Sequence, residues 1–349
     1  MKTGRRIYEI KFSYKRSQVA AILSTWAARC AAFALCASVS VTYAAEPLAL
    51  EAKIVLGNVA GRIDHLAIDL RRQRLFVAEL GNNSVGIVDL KERKLIHTIL
   101  GLKQPQGVGY HQSTDTLYVT NAGDGSVRMF RGPDYSEAGR IDLNDDADNI
   151  RLDDVTNRII VGYGNGALAV IDPESRGKIA DIPLKTHPEG FQLDAKSHQI
   201  FVNIPKANAV SVIDRVTGQQ KANWLITDVR GNFPMAINEA SSQVVIVFRN
   251  PAKLRAYSMQ TGKTVDELEI CGDSDDVFFD AQRKRLYVSC GAGFIDVIDA
   301  SGAYKRLARI PTAKGARTSL FVPELDRLFL AVRASSGEIP AVWVYRPVE

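Results

Sequence analysis

The chain is poor in the groupings on which common hydrolytic and redox sites are built. Its 349 residues hold four cysteines and five histidines. There is no C-x-x-C pair, no H-E-x-x-H and no G-x-S-x-G, which removes thioredoxin-type redox chemistry, zincin-type proteolysis and a nucleophile-elbow hydrolase. A 3.6-residue apolar period is also missing, so helical repeats and bundles are excluded. "TGKT" at Thr261–Thr264 lacks the first glycine of a phosphate loop, Tyr257 standing in its place, and carries no nucleotide site.

Charge of one sign is scarce too, once the chain is divided. The net charge is +5, but residues 1–44 hold seven of the 44 basic residues and one of the 39 acidic ones, leaving 37 basic against 38 acidic. The remainder, at −1, is nearly neutral, so bulk charge names no polyanionic partner. The N-terminal segment has a basic start, an apolar core over about Cys30–Val41 and small residues in Thr42-Tyr43-Ala44, the pattern of an export signal cleaved after Ala44. The core is short for a membrane span and has Arg29 behind it; an uncleaved anchor over Val19–Val41 is the alternative. Arg5-Arg6 lies too far from that core for a twin-arginine signal, so general secretion and a periplasmic or secreted location are expected.

What is present is repetition. In "LYVTNAGDGSVRMF" (Leu117–Phe130) two alternating runs flank a Gly-rich turn. The pattern returns in "RLFVAELGNNSVGIVDL", "RIIVGYGNGALAVIDP", "QIFVNIPKANAVSVIDR", "VVIVFRNPAKLRAYSM", "RLYVSCGAGFIDVIDA" and "RLFLAVRASSGEIPAVWVYR". The apolar residues opening each hairpin are Leu75, Leu117, Ile159, Ile200, Val244, Leu286 and Leu328, spaced by 42, 42, 41, 44, 42 and 42. Several strands per unit at this period predict an all-β, seven-bladed propeller with four antiparallel strands per blade. An inner strand ("HLAID", "GFQLD", "DVFFD") precedes each hairpin and an outer one follows. The seventh unit lacks its outer strand, and the unassigned "LEAKIVLG" (Leu50–Gly57) is expected to supply it and close the ring. Residues 45–349 then form a single domain.

The "YVTN" at Tyr118–Asn121 and the "VID" endings at Val170–Asp172, Val212–Asp214 and Val297–Asp299 resemble the YVTN-repeat, YncE-like family of exported seven-bladed propellers. The resemblance spans residues 50 to 349 and implies a scaffold. It carries over no functional residue, because the repeat motif marks packing positions.

Placed on a propeller, other residues acquire positions. Cys271, entering blade 6, and Cys290, ending that blade's second strand, share one rim and are expected to form a disulfide; two independent, partly buried thiols are the alternative. Asp89, Asp172, Asp214 and Asp299 precede turns and read as turn residues. The loops entering the inner strands converge on the channel mouth. The position five before each inner-strand end gives Asp64, Gln106, Asp148, Glu189, Phe233, Asp275 and Arg317. The next gives His65, Gly107, Asn149, Gly190, Pro234, Asp276 and Thr318. Crowded carboxylates, with Asp148, Asp275 and Asp276 foremost, raise the possibility of a hard cation, Ca²⁺ or Mg²⁺, against the alternative of solvated loops. For acid–base work the candidates are His65 and Glu189, with Arg317 stabilising negative charge. On the opposite face Arg71, Arg72, Arg74, Arg283, Lys284, Arg285 and Arg327 fall on turns of neighbouring blades, a basic patch open to an anionic surface. No aromatic platform accompanies it, which argues against specific nucleic-acid binding.

The expected function is a binding or scaffold role: a small-molecule ligand or periplasmic protein held at the mouth or rim, with no transmembrane segment in the mature chain. The alternative is a lactone hydrolase or lyase working at the acidic mouth.

Overall fold

The computed structural model describes Met1 and residues 46–335 and 337–349; apart from Met1, the expected export signal lies outside the described residues. Seven sheets of four antiparallel strands are arranged as blades over residues 66–99, 105–142, 147–183, 191–225, 230–269, 274–311 and 319–347. Helix is confined to three short 3₁₀ turns among the described residues.

The repeat is built by one local device used seven times. In each blade the turn from the first to the second strand places one residue in the left-handed region: Gln73, Asp115, Asn157, His198, Ser242, Lys284 and Asp326, at φ between 50° and 54°. That conformation closes the hairpin. It is followed two positions later by the apolar anchor, and all seven anchors are buried. Each blade face then packs on the next, as where Tyr287, Ile295 and Val297 of blade 6 meet Leu330, Trp343 and Tyr345 of blade 7. The core therefore lies between blades, and the channel is left to the inner strands.

The ring closes as the repeat count requires. The strand Leu48–Val55 pairs antiparallel with Ala341–Pro347 as the outer strand of blade 7, Leu48 opposite Pro347 and Val55 opposite Ala341. Leu48 and Ile54 are buried there. Cys271 and Cys290 form a disulfide with a Cα–Cα distance of 5.8 Å. The turn aspartates act as expected: Asp89 accepts the N–H groups of Lys91 and Glu92, Asp172 that of Ser175, Asp214 those of Val216 and Thr217, and Asp299 that of Ser301.

Candidate functional site

The mouth ring is produced by a bulge at the start of the inner strands. Pairing slips between Pro105 and Val108, between Ala147 and Ile150, between Asn232 and Met235, and between Ser274 and Asp276. Blades 1 and 4 show the same two-against-one arrangement: Asp64 N–H donates to Ala78 O while Ala78 N–H donates to His65 O, and Glu189–Gly190 straddle Asn203 likewise. A bulge turns side chains out of the ladder, here toward the axis. The backbones at these positions also touch the next blade, His65 N–H donating to Gln106 O (3.3 Å) and Gly190 N–H to Phe233 O (3.1 Å). Gly107 and Gly190 are packing glycines for that reason, since a Cβ there would meet the carbonyls of Asp148 and Phe233.

The ring encloses a cavity of about 340 Å³, whose wall includes His65, Gln106, Asp148, Asn149, Glu189, Asp275, Asp276 and Arg317. Asp64 is fully buried behind it. The alignment of inner strands missed the cations that answer these acids. Arg62, Arg151, Lys206 and Arg249 also line the wall. Arg62 Nη2 lies 2.8 Å from Asp64 Oδ2, and Arg317 Nε 2.8 Å from Asp275 Oδ2. Arg249 Nη2 donates to Asp275 Oδ1 (2.5 Å) with its guanidinium 3.8 Å above the Phe233 ring. Arg317 also donates to Asp273 (2.8 Å). The signal available was an arginine near three of the bulges, in "GRIDHL", "DNIRLD" and "VFRNP", but one position per blade does not sample side chains reaching in from neighbouring positions.

The two histidines are flanked by acids. His65 lies 3.6 Å from Asp276 and 3.9 Å from Asp64. Burial works against its imidazolium, but Asp276, then Asp64 and Asp148, outweigh it and push the ring up to about 10. His65 is thus a cation at neutral pH, and the free-base role considered for it requires a neutral ring that Asp276 and Asp64 disfavour. His187 Nδ1 donates to Gly164 O (2.6 Å), and Nε2 lies 3.8 Å from Asp148. Again burial is outweighed, by Asp148, the Gly164 carbonyl and Asp146, and the ring is raised to about 9. Glu189 goes the other way for a carboxyl: burial, then the charge on Asp148 and Asp275, raise it to about 8. A carboxyl raised this far can give up a proton near neutrality.

For the metal expectation, among the described residues no group of three or more His, Cys, Asp or Glu is arranged to hold an ion. Asp275 faces arginines, and Asp276 accepts the Ser319 N–H (2.8 Å) beside His65. A cation would have to displace these partners.

On the opposite face most of the basic residues are engaged internally. Arg72 binds Asp69, Tyr110 and Asp115, Arg283 binds Asp280 and Asp326, and Arg327 binds Glu51. Arg285 donates to Val348 O and Arg74 to Tyr135 Oη. Arg71 lies 3.1 Å from Asp115 and Lys284 is an exposed turn residue. The seven residues serve chiefly as fasteners, several of them between blades, and little free positive charge remains for an anionic surface.

No family model matches the chain, and no curated protein matches it significantly. It is similar to Kuenenia stuttgartiensis hydrazine synthase, at 17% identity over 82% of this chain and 97% of that one, with a TM-score of 0.71. It is likewise similar to a chain of the mitotic checkpoint complex, at 12% identity over 97% and 98%, also with a TM-score of 0.71. Because 1789 chains of known structure match significantly, likeness at these identities shows the propeller fold alone.

Proposed function

We propose that the protein is an exported, non-catalytic binding propeller that takes a small charged ligand at the channel mouth. One observation carries the reading: acids and arginines from six blades are brought together around a single cavity of about 340 Å³, a concentration of oriented charge that packing alone does not call for. Export is supported by the N-terminal pattern and by the Cys271–Cys290 disulfide, and among the described residues no helix is long and apolar enough to cross a membrane. The YVTN-like repeats are consistent with that setting. Calorimetric titration with a panel of small acids, amines and amino acids tests it. At least one should bind, with a loss of about tenfold or more in Arg317→Ala. A panel without a binder, alongside capture of a protein that releases on the same substitution, would move the site to a protein partner.

The hydrolytic alternative draws on a different observation, the Glu189 carboxyl raised to about 8, within the range of a useful general acid or base. Turnover of a lactone panel, abolished in Glu189→Gln, would establish it. Metal content of protein isolated without chelators settles the cation question. A stoichiometric ion lost on replacing Asp275 and Asp276 by Asn would make those carboxylates ligands.

A further inference from the structure

The charged mouth does not end the channel. A second cavity of about 370 Å³ shares His65, Arg151, Gln192, Asp276 and Phe278 with the first, so the two adjoin at a neck formed by these side chains. Below the neck the wall changes character. Leu66, Ile68, Val108, Ile150, Leu152 and Leu320, from the inner strands of four blades, form a largely apolar bore. Ile68, Leu152, Leu320 and Phe278 stay partly exposed despite their place on innermost strands. Each packs one side against the core between blades and leaves the rest toward the channel, and the apolar surface left there is what a ligand would bury.

The neck residue Arg151 is the exception among the mouth arginines. Where Arg62, Arg249 and Arg317 each meet a carboxylate, Arg151 spends Nη1 on the carbonyl of Ile150 (2.8 Å) and lies 5.4 Å from the Phe191 ring centroid. Among the described residues no carboxylate lies within ion-pair distance of it. Its remaining donors border both cavities. Asp276 is taken up by the Ser319 N–H and by His65, which also lies beside Asp64, so Arg151 is the arginine of the neck left open to an incoming anionic group.

We infer that the ligand is an amphipathic monocarboxylate, its carboxylate held by Arg151 at the neck and its hydrocarbon body lying in the bore. The inference rests on the ligand-binding reading above and names the class of ligand. A guanidinium with an open edge suits a carboxylate, and the bore has room for on the order of ten carbon atoms, taking about 30 Å³ for each as for a water molecule.

The test is calorimetric titration of the signal-processed protein with straight-chain carboxylates from acetate to decanoate, the matching alcohols, and succinate. Affinity should rise roughly fourfold with each added methylene until the bore is filled, and each acid should bind about tenfold or more tighter than its alcohol. Arg151→Met should bring the acids down to the alcohols. Leu320→Trp should stop the rise at a shorter chain while leaving the shortest acids unaffected, and Leu152→Asn reads the same wall should the tryptophan variant fold poorly. Affinity independent of chain length, or unchanged in Arg151→Met, would overturn the inference while leaving a charged-ligand site at the mouth. Failure of every charged molecule, succinate and amino acids included, would overturn both.

Discussion

Asp296 and Asp299 lie three residues apart on one strand, and their surroundings give them different work. Asp299 is a turn residue whose carboxylate accepts the Ser301 N–H. Asp296 is fully buried, takes Arg309 in a two-pronged pair (2.7 and 2.8 Å) and accepts the N–H of Cys271 (2.8 Å). Asp296→Asn removes one charge of a pair while leaving Arg309, so it should cost about 3 kcal/mol. Asp299→Asn should cost about 1 kcal/mol. Chemical denaturation of the two variants compares them directly, and equal losses would mean that the Asp296 pair contributes no more than a turn. Only Asp299 was legible in the sequence, because a turn aspartate is marked by the small and polar residues next to it in the chain. Asp296 depends on a partner strand 13 residues on, and the mouth arginines went unread for a related reason: Arg249 reaches Asp275 from another blade, across 26 residues of chain.

At the scale of the element, the strand Leu48–Val55 was legible because two gaps in the repeat matched, a strand without a blade and a blade without a strand. Its limits were placed two residues late, the pairing running from Leu48 to Val55 rather than from Leu50 to Gly57. Turn residues mark the interior blades on both sides, but nothing in the local pattern marks where a closing strand starts. The bulges that build the mouth were not read at all, since a bulge is a relation of register between two strands. The closure is also where the ring is held, and Ile54 is buried against Val342 and Val344 of blade 7 and Leu75 of blade 1. Ile54→Ala should destabilise by about 2–4 kcal/mol. The exposed neighbour Val55, replaced by Ala, should change stability by no more than about 0.5 kcal/mol. Thermal unfolding of both separates closure from surface. Equal midpoints would mean that the ring holds without this strand.

For the whole molecule the mouth makes stability depend on pH in one direction. A group whose folded pKa is raised binds its proton more tightly in the native state, so stability falls as pH rises between its unfolded and folded values. Glu189 is raised from an ordinary 4.5 to about 8, and His65 from 6.5 to about 10. Their windows overlap between about pH 6.5 and 8, and their signs agree. Above its window Glu189 must ionise where burial and Asp148 oppose it, while His65 loses the proton that Asp276 and Asp64 hold. The melting temperature should therefore decline from about pH 5 to pH 10. Glu189→Gln, neutral throughout, should match the parent at pH 5, melt higher at pH 9 and lose the part of the slope below pH 8. His65→Gln should remove the part above pH 6.5, at a lower melting temperature in acid. A Glu189→Gln profile parallel to the parent's would mean that this carboxyl is already ionised across the range. The proton it could give to a bound carboxylate or a lactone would then be absent, which weakens the hydrolytic alternative without touching the arginine-based site.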